Sequence, residues 1–259
     1  MSYLIAVSGK GGVGKTTLSG LIVARLIARN CTPVLAVDAD PNMCLDSVLG
    51  VTVTSTIGAI REEAKTFAAK GMSAGVSKQD WMEFKIAECL VEADNFDLIA
   101  MGRSEGAGCY CYANNVLKNA IEKVSKVYPY IVLDNEAGLE NLSRRIVQNV
   151  DLLVMVADPS SRGLQTIVRL HQMTGEMNIK YGKLAVVVNR LRRDELPERI
   201  EEIREITKAD FVIGMPDCAE MAEIAEKGGN IMNVSPDNKI VKLVDDLLEQ
   251  AGLPGRKPA

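Results

Sequence analysis

Short apolar runs recur along the chain at Tyr3–Val7, Val34–Val37, Asp97–Met101, Tyr130–Leu133, Leu152–Val156, Leu184–Val188 and Phe211–Ile213. They are apolar on both alternating faces, the pattern of strands in a sheet covered on both sides. Between them the spacing turns helical, as at Leu18, Leu21, Ile22, Arg25 and Leu26, and again at Val116, Leu117, Ala120, Ile121 and Val124. This alternation predicts an α/β fold: a doubly wound, mostly parallel sheet with helices on both faces. Val51–Gly75, with scattered glycines, reads as one helix followed by a mobile loop. Near the end, "KIVKLVDDLLEQAGL" reads as an amphipathic helix docked on the domain. A single domain over 1–253 is expected, and "LPGRKPA" closes the chain as a loose tail, with 254–259 outside the domain.

Composition narrows the function classes. The 259 residues are 47% hydrophobic, enough for a sizeable core. A net charge of -4 gives no electrostatic reason to expect nucleic acid or an anionic membrane surface. The first apolar segment, "YLIAV", lacks a basic flank, and nowhere does the sequence approach the ~18 apolar residues of a membrane span. A cytoplasmic protein is expected. In that compartment six cysteines do not form a disulfide framework, and a close pair among them points to metal or redox chemistry.

The first predicted strand runs into Gly9-Lys10-Gly11-Gly12-Val13-Gly14-Lys15-Thr16, followed by Thr17 and a predicted helix. This satisfies G-x-x-x-x-G-K-[ST] in its strand-to-helix context. Glycines let backbone amides turn inward, and the helix adds the positive end of its dipole, so anionic phosphates fit there. Lys15 is placed to reach the β- and γ-phosphates of ATP, and the Thr16 hydroxyl to hold Mg²⁺. Two carboxylate-bearing segments follow later strands: "DADPN", Asp38–Asn42, and "DNEAGLE", Asp134–Glu140. Carboxylates at the ends of parallel strands flank the ligand crevice of such sheets. Asp38 and Asp40 also suit turns and helix caps. At the end of "VVVNR", the Asn189 amide can both donate to and accept from an adenine edge.

"GAGCYCYANN" carries the remaining chemistry. In extended backbone Cys109 and Cys111 face the same way, with α-carbons roughly 6.5–7 Å apart. Thiolates suit Zn²⁺, Cu⁺ or Ni²⁺, but two are too few for a closed site of about four ligands. A second copy of the chain could supply the other pair. The alternative is that the two cysteines pack as small hydrophobes. That reading is adopted for the isolated Cys31, Cys44, Cys89 and Cys218, with Cys44 in some doubt because it lies just past "DADPN". His171 reads as a partly buried structural residue, and "NRLRRDELPERIEEIREI" as a solvated face.

With "KGGVGKTT" the chain resembles the deviant Walker A ATPases, the group of MinD, ParA and the nitrogenase iron protein. The resemblance implies that Lys10 reaches the nucleotide of a second subunit, hence an ATP-dependent homodimer. It further implies Asp40 as the residue positioning the attacking water, Asp38 supporting the Mg²⁺ shell, Asp134 as the Walker B carboxylate and the Gly138 amide sensing the γ-phosphate. Asn189 and Arg190 would meet the base, with Met215, Pro216 and Asp217 closing over it. Together "DADPN", "MGRSEGAGCYCYANN" and "DNEAGLENLSRR" resemble more closely the CooC-type accessory ATPases. That likeness implies Ni²⁺ or Zn²⁺ held between subunits by Cys109 and Cys111, and apo carbon monoxide dehydrogenase or acetyl-CoA synthase as client. Two other outputs compete: partitioning in the manner of MinD or ParA, and carriage of an iron–sulfur cluster.

Overall fold

The computed structural model describes residues 2–60, 63, 78–103, 118–119, 121, 127–139, 149–193 and 195–254. Their elements run β1 (Tyr3–Gly9), α1 (Lys15–Ala28), β2 (Val34–Asp38), α2 (Leu45–Leu49), α3 (Lys78–Glu88), β3 (Leu90–Ala93), β4 (Phe96–Ala100) and β5 (Tyr130–Asp134). They continue with β6 (Asn149–Ala157), α4 (Ser161–Glu176), β7 (Lys180–Leu191), α5 (Ile200–Thr207), β8 (Phe211–Pro216), α6 (Ala219–Glu226), a 3-10 turn (Ile231–Asn233) and α7 (Lys239–Gln250). The strands form one sheet in the order β3-β4-β2-β5-β1-β6-β7-β8. Every neighbouring pair is parallel except β3–β4.

Alternation along each strand divides the core in two. Leu4, Ala6, Leu35, Val37, Leu133 and Leu153 pack on one face with Leu164, Ile167 and Leu170 of α4. Ile5, Val7, Val34, Ala36, Val132 and Val154 pack on the other with Leu21 and Ile22 of α1 and Val244 and Leu247 of α7. Burial on both faces is why these strands read as unbroken apolar runs.

α7 docks through Ile240, Val241, Val244, Leu247 and Leu248, all buried. At about 2 kcal/mol each, these side chains outweigh the ion pairs beside them. Arg25 of α1 and Arg29 just after it meet Asp245 at 2.9 Å, and Arg29 also reaches the Asp245 and Pro254 carbonyls at 2.8 and 3.1 Å. Burial attaches the helix, and the directional contacts set its register.

Several expectations change. The edge strand β3 was not foreseen; it pairs antiparallel with β4 through a two-residue turn, Asp94–Asn95, with Asn95 at φ 70°. β6, β7 and β8 extend beyond their predicted cores. Leu253 is buried and Pro254 is bonded to Arg29, so the folded chain reaches past 253; residues 255–259 lie outside the described residues. Within 51–75, residues 57–60 are helical, and most of the rest lies outside the described residues. Residues 118, 119 and 121 of the second predicted helix are helical, and Ile121 is buried.

Candidate nucleotide-binding site

The loop Gly9–Thr16 leaves β1 between β5 and β6, and close packing accounts for its first and last glycines. A Cβ on Gly9 would lie 2.3 Å from the Val156 carbonyl oxygen of β6. Gly14 has φ +95°, and a Cβ there would lie 2.5 Å from Asn189 Nδ2. No side chain caps the start of α1, so no side chain competes for its first-turn amides. Lys15 is buried and donates from Nζ to the Lys10 carbonyl at 3.2 Å. Burial pulls its pKa down, against the opposing fields of Asp134, Asp40 and Glu136. Lys10 itself is exposed.

Ladder register sets Asp38 of β2 opposite Asp134 of β5. Both are buried, and each is pushed up, Asp38 to about 6 and Asp134 to about 7, first by loss of water and then by a neighbouring carboxylate. Ser19 Oγ donates to Asp134 Oδ1 at 3.0 Å, and Thr16 also hydrogen-bonds Asp134. Asp38 uses both oxygens on backbone: Oδ1 accepts from the Asp40 amide at 3.0 Å, and Oδ2 from the Cys44 and Leu45 amides at 2.9 Å each. Both Asp38 oxygens thus serve the turn that follows β2. Asp40, half-buried, accepts at Oδ1 from the Asn42 amide at 2.8 Å and from Asn42 Nδ2 at 3.0 Å.

Beyond Asp134, the Asn135 side chain donates to the Val7 carbonyl at 3.0 Å and to Ser8 Oγ at 3.2 Å, tying this loop to β1. The Gly138 amide donates to the Gly9 carbonyl at 3.0 Å. The Thr16 and Ser19 hydroxyls beside the Asp134 carboxyl form an oxygen-bearing set that fits a hard divalent cation such as Mg²⁺.

At the other end of the loop a cleft of about 650 Å³ opens beside Gly14 and Thr17. Asn189, Arg190, Met215, Pro216 and Asp217 all line it, so the predicted base-side residues converge. Asn189 donates one amide hydrogen to the Val13 carbonyl at 2.8 Å and accepts from the Arg190 amide at 2.9 Å, leaving one donor and one acceptor position. The sequence reading missed Leu18 of α1 and Met221, Ala222 and Ala225 of α6, which wall the cleft; the i, i+1, i+4 spacing of the last three was the available signal.

Among the cysteines, Cys31 and Cys89 are buried as expected. Cys44 is exposed just before α2, so packing does not describe it, whereas Cys218 is half-buried against the core beside the cleft, in keeping with packing. His171 is partly buried and pairs with the Tyr181 hydroxyl at 3.2 Å. α5 buries Ile200 and Ile203 and exposes its charges. Cys109 and Cys111 lie outside the described residues. Among the described residues no cluster of three or more His, Cys, Asp or Glu is arranged to hold a metal, and no helix is long and apolar enough to cross a membrane.

Comparison with known proteins agrees with this geometry. Residues 4–231 match the family model "CobQ/CobB/MinD/ParA nucleotide binding domain". The chain is 40% identical over 248 residues to the "Uncharacterized ATP-binding protein MJ0685" of Methanocaldococcus jannaschii, covering 95% of this chain and 97% of that one. It is 31% identical over 187 residues to the carbon monoxide dehydrogenase accessory protein CooC of Rhodospirillum rubrum, covering 68% and 70%. The septum site-determining protein MinD of Pyrococcus horikoshii OT3, solved with Mg-ADP, superposes with TM-score 0.71 at 20% identity, covering 99% of this chain and all of that one. The chain belongs to the CobQ/CobB/MinD/ParA family of nucleotide-binding ATPases.

Proposed function

We propose that this ATPase is a metallochaperone that gathers Ni²⁺ or Zn²⁺ between two copies of itself through Cys109 and Cys111 and serves a nickel enzyme of the carbon monoxide dehydrogenase or acetyl-CoA synthase kind. The observation that carries the reading is the Cys-x-Cys pair on a chain whose early lysine, Lys10, stands exposed on the phosphate loop. Similarity to the CooC protein supports the choice of client. Hydrolysis needs no nucleophilic side chain: water attacks the γ-phosphorus, the β–γ bridging oxygen leaves with ADP, and the protein contributes placement and charge. Lys15 neutralises phosphate charge, and Asp40 orients the water. Mg²⁺, held by Thr16 with Asp134 behind it, would offset charge on the phosphate oxygens.

Docking of α7 counts against a membrane-positioning output, because its buried residues Ile240, Val241, Val244, Leu247 and Leu248 already cover α1 and the sheet. The test is an anaerobic Ni²⁺ and Zn²⁺ titration with mass measurement, for wild type and Cys109→Ser. Two thiolates per chain and about four ligands per site predict about half an equivalent of metal per chain, bound with dimer formation and lost in the variant. A full equivalent on monomers overturns the shared site. A brown protein as isolated would instead favour the cluster-carrying alternative.

A further inference from the structure

The loop after β2 is tied to the end of β4 by one side-chain chain. Arg103 Nη2 donates to Asn42 Oδ1 at 2.6 Å, and Asn42 Nδ2 donates to Asp40 Oδ1 at 3.0 Å. A bond from a guanidinium is short and strong for its kind. It also fixes which end of the Asn42 amide faces the carboxylate: with the oxygen held by Arg103, the nitrogen must face Asp40. Without Arg103 the amide can turn over and set oxygen against oxygen. Both Asn42 bonds end on Asp40 Oδ1, which leaves Oδ2 to accept from a water.

The root of Arg103 is itself fixed. The Met101 amide donates to the Asp38 carbonyl at 2.8 Å, and Gly102 turns at φ +63° with Thr56 only 2.6 Å from any added Cβ.

We infer that Asn42 and Arg103 are positioning residues for Asp40. The inference rests on the role proposed above for Asp40. Both side chains are exposed, so their pairing adds only about 0–1 kcal/mol to stability and variants should fold.

The experiment compares ATP hydrolysis, ATP binding and thermal melting for wild type, Arg103→Ala, Arg103→Lys, Asn42→Ala, Asn42→Asp and the double alanine variant. Misplacement of Asp40 predicts a fall in kcat of about tenfold for either alanine variant, with ATP affinity within about twofold and the double no slower than the worse single. Arg103→Lys, which keeps a cationic donor, restores most of kcat. Asn42→Asp keeps the partner of Arg103 but sets like charge against Asp40, so it falls at least as far as Asn42→Ala. A kcat for Arg103→Ala within about twofold of wild type overturns the positioning role.

Discussion

Asp38 and Asp134 are register partners on neighbouring strands, and the charge on Asp38 works against ionisation of Asp134. Their folded pKa values, about 6 and about 7, lie above the ordinary aspartate range. In the nucleotide-free chain the folded state therefore holds protons that the unfolded state has released, and this contribution to stability falls as pH rises from about 4 to about 7. Asp134→Asn removes the larger part of it. Melting wild type and Asp134→Asn side by side across that range should show the wild type losing ground as pH rises, and Mg-nucleotide should shrink the difference. A gap that stays constant with pH contradicts the pairing. Gly14 marks the same scale differently: its missing Cβ is the space into which the Asn189 amide fits, so one absent atom joins the phosphate end of the site to the base end.

At the scale of elements, α1 and α7 are held by apolar burial and oriented by Asp245, which takes contacts from both Arg25 and Arg29. Asp245→Ala would leave two largely buried guanidinium groups short of a partner, at a cost of about 3 kcal/mol. Chemical denaturation should find that loss with little change in its slope; a loss below about 0.5 kcal/mol would mean that water takes over the contacts. The central strands were legible because burial on both faces leaves no polar alternation to misread. β3 was not, because an edge strand carrying Glu92 with one side toward solvent has no such run. The phosphate loop was legible because its glycines and lysine serve one another within eight residues. Ser19 with Asp134, and Asn42 with Arg103, were not, since these partners lie 115 and 61 positions apart and only the sheet order brings them together. For Asp38 the sequence left two readings open, because a carboxylate that ties down a turn and one that supports a metal look alike until their amide partners are known.

Across the whole molecule, the loops after β1, β2, β4, β5, β7 and β8 all leave the same edge of one sheet, so the phosphate loop, the cleft beside Asn189 and Asp40 share a single rim. Lys10 stands on that rim, exposed, and the proposed dimer puts it to use there. Lys10→Ala should bind ATP with affinity within about threefold of wild type yet fail to double its mass when ATP is added, as read by light scattering. Doubling in the variant equal to that of wild type would remove Lys10 from the interface. One backbone contact on that rim joins its two loops. The Gly138 amide is already engaged by the Gly9 carbonyl, so a guest long enough to claim that hydrogen must evict its present holder, while a shorter guest leaves the pair undisturbed. Whether that one bond is open or closed would tell the chain the length of the molecule it holds.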